Sequence, residues 1–232
     1  YDPLRYYTGR APIEAAAKDI ELDSDDWVFR CNLVTICDGK MVDHSAGHIS
    51  SEEGAKLINE LNDNFASETL HFYKGVSYRH LMVAKGYDFD LKTYPPHDHL
   101  NTKIDKILPR GKGSEMLIDL MSRSGQLFLD HDINKVRTDL GENQVSSIWL
   151  WGEGKKTIMD SFFKRFGVRG ASITAVDLVR GLSKLIGFDL KEVEGATGFV
   201  DTNFEGKAEA AIKAIEDYDI VFRYDSDEDV HH

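Results

Sequence analysis

The arrangement of apolar runs changes along this chain, and that change limits the folds available to it. From residue 170 onward, strand-like runs such as GASITA and DIVFRY alternate with helix-like patterns such as VDLVRGLSKLI and GKAEAAIKAIEDY. Strands that alternate with helices predict a parallel α/β layer. Before residue 150, strand-like runs lie beside one another and the helical patterns are grouped, which is typical of an α+β unit. The sequence therefore predicts two regions, with a boundary between Val145 and Thr157.

Turn and capping signals locate elements of the α+β region. Asp38-Gly39 separates DWVFRCNLVTIC from GKMVD and predicts a β-hairpin. Ser50, with Glu53 three residues later, matches a capping box ahead of an amphipathic helix. Ser114 is the expected N-cap of a further helix.

Composition excludes several classes of partner. The formal net charge is −12, whereas nucleic-acid binding requires a basic face. No apolar run reaches the length of a membrane helix, and YDPLRYYTGR at the N-terminus does not have the pattern of a signal peptide. Cys31 and Cys37 suit neither a zinc site nor a redox pair, so we expect two reduced, buried cysteines in a cytoplasmic protein.

The run GVSYRHLMVAK reads as a strand but carries Arg79 and His80 side by side. Side chains alternate along a strand, so Arg79 should share a face with Ser77 and Leu81, and His80 should point to the other face. An arginine that faces inward needs a partner, because burying an unpaired charge is costly. A carboxylate or phosphate of a ligand would fit the guanidinium. An internal salt bridge is the alternative.

Two further residues lie where helices are expected to begin. Arg10 comes just before a helix whose start is marked by Pro12, a position suited to an anion, although a solvated loop arginine fits equally well. His48 follows the small residues of SAG and precedes the capped helix, so it is a candidate general base or phosphate partner. A structural histidine is the alternative there, and His44 is interpreted as a neighbour only.

The C-terminal YDSDEDVHH offers carboxylates and imidazoles, the usual ligands of divalent metals. An acidic tail ending in two histidines is also typical of a disordered terminus. Walker, G-x-G-x-x-G, G-x-S-x-G and paired C-x-x-C motifs are absent from the sequence.

The order of several strings resembles one family over almost the whole chain. The chain looks like an archaeal-type, cofactor-independent phosphoglycerate mutase, a member of the alkaline phosphatase superfamily. The strings that carry this resemblance are YDPLRYYTGRAPIEAA, FRCNLVT, SAGHIS, GVSYRHL, PPHD, SIWLWGEGKK, ASITAVDLVRGL, EGATGFVDTNFEGKAEAAIKAI and DYDIVF.

The resemblance implies a fold and a reaction. A phosphatase-like α/β layer, truncated in this chain, would be interrupted by an inserted α+β transferase-like domain that binds glycerate. Residues 1–25 would cross from the phosphatase-like part, 26–150 would form the insert, and 151–232 would continue the α/β part. Such enzymes interconvert 2- and 3-phosphoglycerate through a phosphoserine, with two divalent metals, usually Mn²⁺, and without 2,3-bisphosphoglycerate.

The resemblance also implies roles for particular residues. His48 would move protons on the glycerate hydroxyls, and Arg79 with Arg10 would bind carboxylate or phosphoryl oxygens. Arg180 would reach the phosphate from the other domain, and His80, the neighbour of Arg79, would be a further substrate-binding residue. In the tail, Asp227 and His231 match two metal ligands in a D-E-x-x-H pattern.

The sequence departs from the family at both ends. The Gly-Asp-Gly strand and serine nucleophile expected before YDP are missing, as are a later Asp-His metal pair and another histidine. We therefore expect this chain alone to lack mutase activity, and unpaired sheet edges leave self-association open. Two alternatives stay open: a phosphatase or phosphotransferase of the same superfamily acting on another small phosphorylated acid, and a non-catalytic phosphoglycerate-binding module.

Overall fold

Two compact units make up the chain in the computed structural model, which describes residues 1–2, 6–198 and 201–225. One unit is Leu22–Lys156; the other joins Tyr1–Glu21 to the described residues from Thr157 onward. Each contains both helices and strands, so the fold class is mixed α and β.

The elements follow one another in an order close to the predicted one. The strands are β1 (Trp27–Cys37), β2 (Lys40–Asp43), β3 (Leu70–Tyr73), β4 (Arg79–Ala84), β5 (Asp90–Lys92), β6 (Arg110–Lys112), β7 (Ser147–Lys155), β8 (Gly170–Ile173), β9 (Asp189–Leu190) and β10 (Ile220–Arg223). The helices are α1 (Arg10–Ala17), α2 (Ser51–Phe65), α3 (Ser114–Phe128), α4 (Asp132–Asp139), α5 (Phe162–Phe166), α6 (Asp177–Leu185) and α7 (Phe204–Ala214).

An antiparallel sheet forms the centre of the Leu22–Lys156 unit. β1 pairs with β4 on one side and with β7 on the other, and β3 extends the sheet beyond β4. The hairpin predicted at Asp38-Gly39 is confirmed, since β2 folds back on β1 and both turn residues have positive φ, 50° and 67°. The expected boundary after residue 150 falls inside β7, because that whole strand pairs with β1.

Helix α2 covers one face of this sheet. The predicted capping box is confirmed: the Ser50 side chain accepts from the Glu53 N–H, and Glu53 accepts from the Ser50 N–H. Leu57, Ile58 and Leu61 are fully buried and belong to the main hydrophobic core. The 3.6-residue period therefore identified the buried face of this helix correctly.

Three local predictions are wrong in detail. Gly113, not Ser114, is the N-cap of α3; its φ is 88°, and the Ser114 hydroxyl donates instead to the Gly111 carbonyl at 2.8 Å. β4 begins only at Arg79, because Ser77 has a φ of 55° that no strand residue adopts. The two cysteines are free thiols, but only Cys31 is buried; Cys37 is exposed because it ends β1 at the hairpin.

The second unit contains the predicted parallel layer. β8 lies between β10 and β9 and pairs with both in parallel, which confirms the expectation from the alternating pattern. Helix α6 approaches α1 very closely: a Cβ atom at Gly181 would lie 1.9 Å from the Ile13 carbonyl oxygen. No helix in the described ranges is long and apolar enough to cross a membrane.

Candidate functional site

The two faces of the central antiparallel sheet differ in chemistry, and Arg79 and His80 lie on opposite faces. Residues paired across neighbouring strands share a face. Arg79 pairs with Asn32, whereas His80 pairs with Cys31 of the hydrophobic core. His80 is only 1% exposed.

The buried imidazole of His80 helps to place Arg79. Its Nδ1 accepts the Gly75 N–H at 3.0 Å, which holds the turn that leads into β4. A Cβ atom at Gly75 would lie 1.8 Å from the Arg79 carbonyl oxygen, so only glycine fits there. His80 is thus an interior residue next to the turn before Arg79, not a second group on the face that carries Arg79.

A second arginine lies on the same face as Arg79. Arg30 is in the middle of β1, only 4% exposed, with its guanidinium carbon 4.6 Å from the centre of the Trp151 ring. The Trp151 indole N–H donates to the Asn32 side-chain oxygen at 3.1 Å, and the Asn32 amide donates to the His44 carbonyl at 3.3 Å. A cation over an indole ring at this distance is a favourable arrangement.

Two imidazoles and Arg79 lie around Tyr78, and a third imidazole lies next to one of them. The ring centre of Tyr78 lies 5.5 Å from that of His44 and 6.5 Å from that of His48, and the Arg79 guanidinium carbon lies 5.8 Å from it. His97, from a 3₁₀ turn at Pro96–His99, lies 6.0 Å from His44. We call Arg30, Arg79, His44, His48 and His97 the basic cluster; all five belong to the Leu22–Lys156 unit.

The electrostatic environment keeps His44 neutral. Burial lowers the pKa of His44 most, and His48 and Arg30 lower it further, while Asp43 opposes them. Its Nδ1 is buried and accepts no hydrogen bond from the described residues. The neutral imidazole is the form that can act as a general base.

A tight loop presents His48. Ala46, Gly47 and His48 all have left-handed φ values, 49°, 67° and 50°. That conformation costs a non-glycine residue roughly 1–2 kcal/mol. The Asp43 carboxylate offsets the cost by accepting from the N–H and hydroxyl of Ser45 and from the N–H of Gly47, each at 2.7 Å.

These hydrogen bonds also determine the charge of Asp43. Burial by itself would raise the pKa of Asp43, but the hydrogen bonds from Ser45, Asn143 and Gly47 outweigh it and lower the pKa below its usual value. Asp43 therefore stays ionised and holds the loop at neutral pH.

In the other unit, Arg10 is the first residue of α1 rather than a loop residue before it. The helix begins two residues before Pro12, and the Arg10 Nε donates to Glu14 at 2.8 Å. Glu14 lies one turn later and is buried. Arg10 is therefore fixed within its own helix by an i,i+4 ion pair.

Arg180 lies beside a cavity of about 190 Å³ at the carboxyl ends of β8 and β9. Thr174, directly after β8, and Lys191 to Val193, directly after β9, line this cavity. The Arg180 guanidinium makes two hydrogen bonds to Glu192, at 2.5 and 3.0 Å, and the pair raises the pKa of Arg180 and lowers that of Glu192. This edge of a parallel sheet is where α/β proteins bind ligands.

The predicted metal ligands Asp227 and His231 lie outside the described residues. Among residues 1–2, 6–198 and 201–225, no three His, Cys, Asp or Glu side chains come close enough together to hold a metal ion.

Comparison with known proteins decides the family. Residues 1–134 match the family model described as 2,3-bisphosphoglycerate-independent phosphoglycerate mutase. The chain belongs to this family. The match covers more than half of the chain and includes every residue of the basic cluster.

Relatives extend the similarity over most of the chain. A 2,3-bisphosphoglycerate-independent phosphoglycerate mutase of Methanosarcina mazei is 47% identical over 223 residues, which is 96% of this chain and 56% of the relative. The chain therefore spans about half the length of the curated mutases it matches. A cofactor-independent phosphoglycerate mutase of Thermoplasma acidophilum has a similar structure, with a TM-score of 0.58, 25% identity, and coverage of 96% of this chain and 60% of that one. A protein of Pyrococcus horikoshii shares the fold, with a TM-score of 0.72 at 24% identity over 98% of this chain and 54% of the other.

Sequence reasoning on this mutase-family chain missed several residues of the cluster. Arg30 and Asn32 interrupt the apolar run WVFRCNLVTIC at alternate positions, and a charge in the middle of such a run is a usable signal. No local pattern indicated His97, because it lies in an irregular Pro-Pro loop, although its string PPHD is one of those that resemble the family. His44 was interpreted as a neighbour of His48, yet its ring is closer to Tyr78 than the His48 ring is.

Proposed function

We propose that this chain forms the glycerate-binding part, and one phosphate contact, of a phosphoglycerate mutase that interconverts 2- and 3-phosphoglycerate. The observation that carries the proposal is the basic cluster, in which two arginines and three histidines gather in a chain of net charge −12. Because the overall charge repels an anionic metabolite, two arginines gathered beside three imidazoles indicate an anion site.

In this proposal, Arg79 and Arg30 bind the carboxylate and phosphoryl oxygens of the substrate. Guanidinium groups form paired, charge-assisted hydrogen bonds with such anions. The two side chains share one sheet face, since Arg79 pairs with Asn32 and Arg30 lies two residues earlier in β1. A rigid antiparallel sheet thus fixes the distance between the two cations.

The imidazoles supply proton transfer. Moving a phosphoryl group between two hydroxyls requires that one hydroxyl lose a proton and the other regain it. His48 is the proposed proton carrier on the glycerate, and the neutral His44 beside Tyr78 is a second base within the same cluster. Holding the glycerate against both keeps it in place between the two transfers.

The remaining residues have smaller roles in the proposal. Arg180 contacts the phosphate at the carboxyl edge of the parallel sheet, which requires that the phosphate share or displace Glu192. Arg10 is a second phosphate contact available only if it leaves Glu14. His80 acts indirectly, by holding the turn before Arg79.

The wider assignment follows from the family. We propose that the parallel layer is part of an alkaline-phosphatase-like domain, that Leu22–Lys156 is the inserted transferase-like domain, and that transfer passes through a phosphoserine. Two divalent ions, with Asp227 and His231 among their ligands, belong to the same proposal. The described residues contain no cluster of three His, Cys, Asp or Glu side chains that fits a metal ion.

Isothermal titration calorimetry of the 232-residue chain with 3-phosphoglycerate tests the binding proposal. We expect saturable binding that Arg79→Gln weakens by about 10- to 100-fold, because a hydrogen bond to a charged group contributes about 1.5–3 kcal/mol. Arg123→Gln is the matched control, since Arg123 is exposed on α3 and pairs with Asp119. Equal affinity in both variants would contradict the assignment of Arg79.

An activity assay tests the proposal that this chain binds the substrate but does not catalyse the reaction by itself. The 232-residue chain with Mn²⁺ should show negligible turnover of 3-phosphoglycerate, because it contains no segment that matches the family's serine nucleophile. Robust turnover by the purified chain would refute that part of the proposal and leave the binding site untouched.

A further inference from the structure

A buried arginine outside the basic cluster holds the loop that carries His48. Arg137 lies on α4 and is only 2% exposed. Its Nη2 donates to the Ala46 carbonyl at 2.7 Å, and its Nε donates to the Asn143 carbonyl at 2.8 Å. Ala46 begins the left-handed segment that ends at His48.

The same guanidinium connects this loop to the start of helix α2. Its Nη1 donates to the Glu53 carboxylate at 3.2 Å and pairs with Glu142 at 3.0 Å. Glu53 in turn accepts from the N–H and hydroxyl of Ser50, the N-cap residue two positions after His48. His48 is therefore held on both sides of its position in the sequence by groups that Arg137 binds.

A second route leads from Arg137 to the loop through Asn143. The Asn143 amide donates to the Asp43 carboxylate at 2.9 Å, and Asp43 accepts from the Gly47 N–H. The packing is tight: a Cβ atom at Gly47 would lie 2.9 Å from the Arg137 Nη2. The Arg137 guanidinium therefore packs directly against the backbone of the loop at Gly47.

We propose that Arg137 is a positioning residue that fixes the left-handed Ala46–Gly47–His48 segment and thereby the direction of the His48 imidazole. The importance of that direction for catalysis rests on the proposed function, whereas the positioning itself does not. Nothing in the sequence around NKVRTDL indicates this role, because Glu53 and Ala46, which connect Arg137 to the loop and to α2, lie 84 and 91 residues away.

Arg137→Lys is the direct test, with Arg123→Lys as the matched control on the exposed surface of α3. Lysine keeps the charge but cannot reproduce the planar set of donors. In the folded Arg137→Lys chain, we expect the ¹H–¹⁵N imidazole signals of His48 to move, while those of the exposed His71 stay unchanged. We also expect the dissociation constant for 3-phosphoglycerate to rise by roughly tenfold, because small displacements of reacting groups have large effects.

A purely structural role would give a different result. If Arg137→Lys lowers the melting temperature but leaves the His48 signals and the affinity of the folded protein unchanged, the proposal is wrong. If Arg137→Lys does not fold, Asn143→Ala replaces it, because that change removes only the contact to Asp43 and must also move the His48 signals. Unmoved His48 signals in Asn143→Ala would then overturn the proposal.

The two proposals fail in distinguishable ways. Absence of 3-phosphoglycerate binding by the unsubstituted chain would refute the proposed function, while the His48 signals of the variants would still test the positioning. Normal binding with unmoved His48 signals would refute only the role of Arg137.

Discussion

The antiparallel sheet of Leu22–Lys156 and the parallel sheet of the other unit carry their candidate residues in different places. In the antiparallel sheet, Arg30 in the middle of β1 and Arg79 at the start of β4 lie on one face, and His44, His48 and His97 lie near them. In the parallel sheet, Arg180 lies beyond the carboxyl ends of the strands. An antiparallel sheet can devote one face to polar groups, whereas a parallel sheet is normally covered on both faces and leaves its ends for ligands.

This difference affects how firmly each residue is held. Arg79 follows a turn fixed by the buried His80, and Arg30 lies on Trp151 inside the unit. Arg180 is held largely by Glu192, whose side chain is 72% exposed and can move. We therefore expect the antiparallel unit to provide a preorganised anion site and the parallel unit to provide an adaptable one.

The largest expected effect comes from adding a side chain at Gly75. Gly75→Ala should lower the free energy of unfolding by roughly 2–4 kcal/mol, because its Cβ would collide with the Arg79 carbonyl. It should also weaken 3-phosphoglycerate binding, since the turn before Arg79 must move. Gly181→Ala should destabilise the other unit to a similar extent through Ile13 but affect the affinity less. Chemical denaturation measures the free energy of unfolding, and calorimetry measures the affinity. An equal loss of affinity in both variants would contradict the expectation that the antiparallel unit holds the anion site.

Neutralising the buried cation of β1 should have the next largest effect. Arg30→Gln should weaken 3-phosphoglycerate binding by about tenfold or more, whereas Arg180→Gln should weaken it by only about two- to threefold, because a hydrogen bond to a charged group is worth more in a fixed site. Calorimetric titration of the two variants under one buffer condition gives the comparison. A larger loss of affinity in Arg180→Gln than in Arg30→Gln would show that the parallel unit contributes more to binding than the antiparallel unit.

The Asp43 carboxylate should make the His48 loop sensitive to acid. Its pKa is lower in the folded protein than its unfolded value of about 3.9, so its contribution to stability is present above that value and is lost as the pH falls through the folded pKa. Asp43→Asn should therefore cost roughly 1–2 kcal/mol at pH 7 and should remove this acid dependence. Urea denaturation at pH 7 and at about pH 3 measures both effects, and an unchanged acid dependence in Asp43→Asn would contradict this role.

The smallest effect is expected at the exposed partner of Arg180. Glu192→Gln should change the free energy of unfolding by less than about 0.5 kcal/mol, because exposed ion pairs contribute little. It should raise the affinity for inorganic phosphate slightly, since Arg180 no longer has to exchange one anion for another. A marked loss of stability would show that the parallel unit is as rigidly held as the antiparallel one.

Local chemistry explains which parts of the fold the sequence predicted. The Asp38-Gly39 hairpin and the Ser50–Glu53 capping box depend on residues adjacent in the chain, and both are present. IMDSFFKRF (158–166) has a helical pattern, but only Phe162–Phe166 is helical, and DLKEVE (189–194) has a strand pattern, but β9 is only Asp189–Leu190. Element ends depend on tertiary contacts that a local pattern does not contain.

The same distinction between local and distant contacts explains which residues of the candidate site the sequence predicted. Arg79 and His48 were selected from their local positions, and the structure gathers both around Tyr78. Arg137 was missed because Ala46, the loop residue that it binds, is distant in sequence, and His97 was missed because it lies in an irregular loop. The contact between α4 and the His48 loop appears only after the chain has folded.

The most direct test follows the arginine side chains themselves during titration. In a chain labelled with ¹⁵N-arginine, 3-phosphoglycerate should shift the Nε–Hε signals of Arg79 and Arg30 in a saturable way and shift that of Arg180 less. Saturable binding that moves the Arg180 signal and leaves those of Arg79 and Arg30 in place would contradict the assignment of the anion site to the antiparallel sheet.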